Sequence, residues 1–258
     1  MNQPLAVVTG ASSGIGLELA RLFAADGYDL FLVADETGIH DVADELSVTT
    51  TVEALQADLR QPAEVERVYE ALSRVPAAIA LNAGIGRAGR FVDGDTSADL
   101  DIVDLNVRST VHLAKLVLRD MYDAGTGRAL FTSSIVAMMP GSYQTMYNAS
   151  KSFIQSFAVG LHDEFRGTGV TVTALMPGAT DTEFFRRASM VDTPLGRLPF
   201  KDDPARTARQ GYDALVRGDR TVIASSVLSK VIGATAKVLP DSAKALANRL
   251  IVTPFGDR

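Results

Sequence analysis

The chain is 258 residues long, 47% hydrophobic and 22% charged, with a formal net charge of −6 and a pI near 5.1. That composition excludes wholesale disorder, and an acidic chain without a dense Lys/Arg cluster argues against nucleic acid as a main partner. Cysteine is absent, and His40, His112 and His162 stand far apart in sequence, so neither disulfides nor a metal site is expected.

Short β-rich runs alternate with longer helical patterns along the chain. Met1-Asn2-Gln3-Pro4 has neither a basic nor a long apolar leader, and no uncharged apolar run reaches membrane-spanning length. The expectation is a cytoplasmic protein without an integral membrane span. Leu5–Thr9 reads as a strand, followed by a glycine loop and a helix near Leu17–Ala25. Asp29–Val33 is strand-like, Asp41–Leu46 a short helix and Thr51–Ala57 a strand. Pro62 opens a helix presenting Val65, Val68, Tyr69 and Leu72. Ala77–Leu81 is the next strand, and one long helix is expected over about Ala98–Tyr122. Strands Arg128–Ser133 and Val170–Met176 flank a helix from about Met146 to Phe165. A helix near Pro204–Val216 precedes a last strand, Thr221–Ala224.

The alternation predicts an α/β fold: about seven strands in a largely parallel sheet, with helices on both faces. No linker or repeat divides the chain, so residues 1–258 read as one domain. Residues 179–203 are expected to form a substrate lid and 226–258 a C-terminal helical tail. Within the tail, Ser226–Leu250 spaces apolar residues at three and four, which predicts two short amphipathic helices broken at Pro240. They are expected over the substrate side or against a second subunit, with a membrane-surface role as the minority alternative.

The first strand ends in Thr9-Gly10-Ala11-Ser12-Ser13-Gly14-Ile15-Gly16. Backbone N–H groups and a helix N-terminus can approach a pyrophosphate only where no Cβ intervenes, so this loop points to dinucleotide binding. Asp35, nineteen positions after Gly16, stands where an acidic side chain meets the adenosine ribose. Tyr147 and Lys151, four apart on a predicted helix, share one face. An ammonium about 4 Å away is worth ~4 kcal/mol at an effective dielectric near 20, enough to draw the phenol pKa from about 10 towards 7.

Together with Asn82-Ala83-Gly84, Asn106, Ser134 and Pro177-Gly178, these motifs resemble the short-chain dehydrogenase/reductase family from about Leu5 to Thr182. The resemblance implies a doubly wound Rossmann fold and hydride transfer between a nicotinamide dinucleotide and an alcohol or ketone. It implies that Asn106, Ser134, Tyr147 and Lys151 are catalytic. Gly10, Ser12, Ser13, Gly14, Ile15, Gly16, Asp35, Asp58, Leu59, Asn82, Ala83, Gly84, Tyr147, Lys151, Pro177, Gly178, Thr180 and Thr182 would contact the cofactor. Tyr147 would exchange the proton, Ser134 steady the substrate oxygen and Lys151 also hold the nicotinamide ribose. Asn106 would hold a water in a proton relay, and Asp58 would contact the adenine.

NAD is expected over NADP, because Asp35 would repel a 2′-phosphate and no cation lies within sequence reach. Phe184, Phe185, Met190, Val191, Leu195, Leu198 and Phe200 suggest an apolar substrate larger than a short alcohol. A homo-oligomer, dimer or tetramer, is expected. The alternative from another class is a sensor or interaction protein on the same fold that binds dinucleotide without turnover. An epimerase or dehydratase would call for a longer C-terminal substrate domain.

Overall fold

The computed structural model describes residues 3–188, 190–197, 201–224 and 240–253. Among them, seven strands form a single parallel sheet: β1 (Leu5–Thr9), β2 (Asp29–Ala34), β3 (Val52–Gln56), β4 (Ala78–Leu81), β5 (Gly127–Thr132), β6 (Val170–Pro177) and β7 (Thr221–Ala224). The spatial order is β3-β2-β1-β4-β5-β6-β7, with Thr9 opposite Val33 and Ala6 opposite Ala78. The order reverses on either side of β1, so the connections that follow β1 and β4 diverge and leave the crevice where ligands of such sheets bind.

Alternation along each strand builds two cores. Leu5, Val7, Phe31, Val33, Ile79 and Phe131 face one side, where α3 (Pro62–Glu70), α5 (Thr110–Ala124) and α6 (Thr145–Glu164) bury Val68, Val117 and Ile154. Ala6, Val8, Leu30, Leu32 and Leu130 face the other, under α1 (Gly14–Ala25), α2 (Ile39–Leu46) and α8 (Pro204–Arg217), which supply Phe23, Ile39 and Leu215. A buried side chain of this size contributes roughly 1.5–3 kcal/mol over an exposed one, so the two layers hold the sheet rigidly beneath the site.

The single long helix expected over Ala98–Tyr122 is instead divided. α4 (Thr96–Ile102) runs into a π-helical segment, Val103–Ser109, before α5 resumes. Asn106 lies within the π segment, and its side chain is drawn across to Ile85 and Ser150. α7 (Phe184–Arg187) is one turn within the segment expected as a lid. α9 (Asp241–Val252) begins just after Pro240, as the second tail helix was expected to. The first tail helix, including Val227, Leu228, Val231, Ile232, Val238 and Leu239, lies outside the described residues, as do Leu198 and Phe200.

Candidate active site

A cleft of about 430 Å³ runs along the carboxyl edge of the sheet. Gly10, Ser12, Ser13, Gly14 and Ile15 line one stretch of it. Gly16 does not line the cleft but makes it possible: a Cβ there would stand 2.0 Å from the Gly10 carbonyl oxygen. α1 starts after Ser13 without a side-chain cap, so its first N–H groups face the cleft unpaired by a capping side chain. A close backbone approach and an uncapped helix start are what a pyrophosphate needs. The residues present fit a dinucleotide.

Asn82 braces this loop. Its Nδ2 donates to the carbonyls of Thr9 and Gly10, both at 3.3 Å, and its Oδ1 accepts from Thr132 Oγ1 at 3.0 Å. Thr9 Oγ1 accepts from the backbone N–H of Asn82 and of Ala83, both at 3.0 Å. The polar ends of β1, β4 and β5 thereby become one unit, with Asn82, Ala83 and Gly84 at its cleft surface.

At the end of β2, Asp35 lines the cleft as expected, with Asp58 and Leu59 from the end of β3. The Asp58 carboxylate accepts from the Arg60 guanidinium at 2.8 Å, which holds its pKa below the usual range. Glu36, which the sequence offers only as a neighbouring loop carboxylate, lines the cleft as well. It accepts from Ser12 Oγ at 3.2 Å and pairs with Arg187 of α7 at 2.6 Å. A cation therefore does stand at this end of the cleft, from outside the sequence reach in which none was expected. Arg187 comes from the lid, far beyond the local sequence.

At the other end Ser134, Tyr147 and Lys151 meet on the cleft wall. Ser134 follows β5, and its hydroxyl oxygen accepts from Val136 N at 3.3 Å. Lys151 Nζ donates to the Thr132 carbonyl at 2.8 Å and lies 5.9 Å from the centre of the Tyr147 ring. Burial pushes the Tyr147 phenol up to about 12, only partly opposed by Ser134. Burial also pushes the Lys151 ammonium down to about 8. The expected depression of the phenol by the ammonium does not appear here: burial is the largest cause acting on each group, and it disfavours both charged forms.

Asn106 is buried behind these groups and does not line the cleft. Its Nδ2 donates to Ile85 O at 2.8 Å and Ser150 Oγ at 3.0 Å, and its Oδ1 accepts from Ile85 N at 2.9 Å. The side chain stitches the turn after β4 to α6. A π segment widens the helix by one residue per turn, and such segments are frequent at functional sites.

Pro177, Gly178, Thr180 and Thr182 line the cleft after β6. Thr182 Oγ1 accepts from Phe184 N at 3.4 Å, at the start of α7. Phe184 covers Tyr147, their ring centres 5.1 Å apart, over Gly86, where a Cβ would come within 2.5 Å of the Phe184 ring. Phe185, Met190 and Val252 of α9 make a small core of their own, whereas Val191 is exposed. α9 is fastened by Asn248 Nδ2 donating to Ser142 O at 2.8 Å and by Ile251 O accepting from Leu195 N at 2.9 Å. The tail's second helix therefore packs over the same end of the cleft as Tyr147, and Ile251 joins the lining.

The short chain dehydrogenase family model matches residues 4–191. The chain belongs to the short-chain dehydrogenase/reductase family. A 189-residue stretch is 34% identical to sulfoacetaldehyde reductase 2 of Chromohalobacter salexigens, covering 70% of this chain and 74% of that one. The structure superposes on a short-chain dehydrogenase from Sphingobium yanoikuyae in complex with NADPH, with a TM-score of 0.81, 28% identity and coverage of 93% and 97%. A bulky-bulky ketone specific alcohol dehydrogenase from Comamonas testosteroni gives a TM-score of 0.78 and 26% identity over 94% and 97%. As a member of this family, the protein is an oxidoreductase that uses a nicotinamide dinucleotide. Among the described residues, no helix is long and apolar enough to cross a membrane.

Proposed function

We propose that the protein transfers a hydride between NAD and an apolar alcohol or ketone larger than a short alcohol, with 1–258 acting as one catalytic domain. The observation that carries this reading is the meeting of Ser134, Tyr147 and Lys151 beneath Phe184, at one end of the cleft served by the uncapped start of α1. When bound, the nicotinamide supplies or accepts the hydride. In carbonyl reduction, Tyr147 donates its phenolic proton to the substrate oxygen, and in alcohol oxidation it takes that proton back. The Ser134 hydroxyl bonds the same oxygen and stabilises charge developing on it. Lys151, held by Thr132, keeps a positive charge beside the phenol and binds ribose hydroxyls. Asn106 positions α6 through Ser150, and the widened backbone around it leads protons towards solvent.

Two features support the substrate class. Ile135, Val136, Met139, Phe184, Phe185 and Leu195 make the wall beside Tyr147 largely apolar. The similar Comamonas enzyme is described as specific for bulky-bulky ketones. For the cofactor, Asp35 and Glu36 place two carboxylates against the one guanidinium of Arg187, so a 2′-phosphate would meet net negative charge and NAD is favoured. The subunits are proposed to associate as a dimer or tetramer.

A series of methyl ketones of increasing chain length, offered with both reduced dinucleotides, tests this reading. The expected result is multiple turnover, with kcat/KM rising by up to roughly fourfold per added methylene, the equivalent of ~0.8 kcal/mol of burial. A flat or falling series overturns the apolar substrate. Dinucleotide binding without turnover of any carbonyl compound would favour the sensor.

A further inference from the structure

Gln144 takes no part in the proton chemistry, yet it is 2% exposed and lines the cleft with Tyr147, three residues further on. Its Nε2 lies 2.9 Å from the sulfur of Met190, a weak acceptor, and its Oε1 has no partner at all. Other buried side-chain oxygens among the described residues also lack partners, on Asn148, Gln155, Thr171, Thr173, Thr207 and Asn248. None of those residues lines the cleft. Buried polar groups in native proteins are almost always satisfied, so an orphan on a residue of the ligand cleft's wall points to a ligand's polar group as its partner.

The backbone that leads into Gln144 is strained. Tyr143, the residue before it, has a φ of 65°, the left-handed region that a bulky side chain avoids. That conformation is held by Gly89 N–H donating to Tyr143 O at 2.8 Å, and the chain then turns directly into α6. Gln144 consequently enters a wall otherwise made of Met139, Phe184, Phe185, Met190 and Leu195.

The geometry points to Gln144 as a specificity-determining residue whose carboxamide recognises a second polar group, a hydroxyl, on an otherwise apolar substrate. A hydroxyl both donates and accepts, so it satisfies either end of the amide. This rests on the hydride-transfer reading and narrows its substrate class to hydroxylated apolar ketones, or the corresponding diols in oxidation.

The test compares phenyl alkyl ketones with counterparts carrying one hydroxyl two to five carbons from the carbonyl, using full-length wild type, Gln144→Leu and Gln144→Met. Wild type should prefer at least one hydroxylated member by about tenfold or more in kcat/KM, mostly through KM, and both variants should lose that preference. A wild type indifferent to the hydroxyl throughout the series, or variants that keep the preference, would overturn the assignment. Binding supplies a second readout: the matching alcohols and diols are added to the protein saturated with NAD⁺, and the melting temperature is followed. The diols should raise it more than the mono-alcohols in wild type and not in the variants, and an equal rise in wild type would again overturn the assignment. If no ketone turns over, hydride transfer itself fails, while the binding series still decides the role of Gln144.

Discussion

At the scale of single residues, the chemistry turns on how burial treats two protons. The Tyr147 phenol, pushed up to about 12, stays protonated throughout the neutral range, which suits donation to a carbonyl oxygen. Lys151, pushed down to about 8, is charged below that pH and neutral above it. The reduction kcat/KM is therefore expected to hold steady from pH 6 to 8 and to fall above about 8. Oxidation, which needs the Tyr147 phenolate to accept a proton, should rise with pH over the same range. Steady-state profiles in both directions check this, and a reduction rate that climbs above pH 8 would contradict it. Tyr147→Phe should lower kcat by at least about 10², as expected for loss of a general acid/base, while the dinucleotide Kd measured by fluorescence titration stays within about twofold. Lys151→Ala should damage both, since it serves phenol and ribose. That Ser134, Tyr147 and Lys151 belong together was legible in the sequence because their types and order are distinctive, and the structure places all three on the cleft wall. Their proton affinities were not legible, because these depend on how much water Phe184 and its neighbours exclude.

Among the elements, the lid turn α7 links both ends of the cleft. Its first residue, Phe184, covers Tyr147, and its last, Arg187, pairs with Glu36 beyond β2. Spacing within the lid showed its apolar residues but could not show this pair, whose members are brought together only by the return of the chain after β6. The pair makes the cofactor preference adjustable. Glu36→Gln removes one of two carboxylates and frees Arg187, so NADP use should rise at least about tenfold relative to NAD, ~1.4 kcal/mol. Arg187→Ala should widen the preference for NAD. The ratio of kcat/KM values for the two cofactors measures both changes, and an unmoved ratio in both variants would place the 2′-position away from this pair. The π segment around Asn106 was likewise beyond local reading. Apolar spacing from Ile102 to Val117 suits an ordinary helix, and the departure comes from remote partners, Ile85 and Ser150.

For the molecule as a whole, the dinucleotide cleft is shared by separate parts of the chain: the loop after β1, the ends of β2 and β3, the turns after β4 to β6, and the lid. A ligand that contacts all of them in the folded state and none in the unfolded chain stabilises the fold. At about 100 times its Kd, NAD should add ~2.7 kcal/mol, or roughly 5–11 °C in Tm. Thermal denaturation with and without NAD measures this, and an unchanged Tm at that concentration would contradict the proposed occupancy of the cleft. By itself the sequence determined the order and type of the elements, the parallel sheet, the glycine loop and the Tyr147/Lys151 pair. Those depend on periodicity and on spacings of a few residues, which the local chain enforces. Only the tertiary structure decided the Arg187–Glu36 contact, the π segment at Asn106, the place of Gln144 in the cleft wall and the raised phenol pKa. Each of these arises where segments distant in sequence are brought against one another, and that meeting is a property of the packed whole.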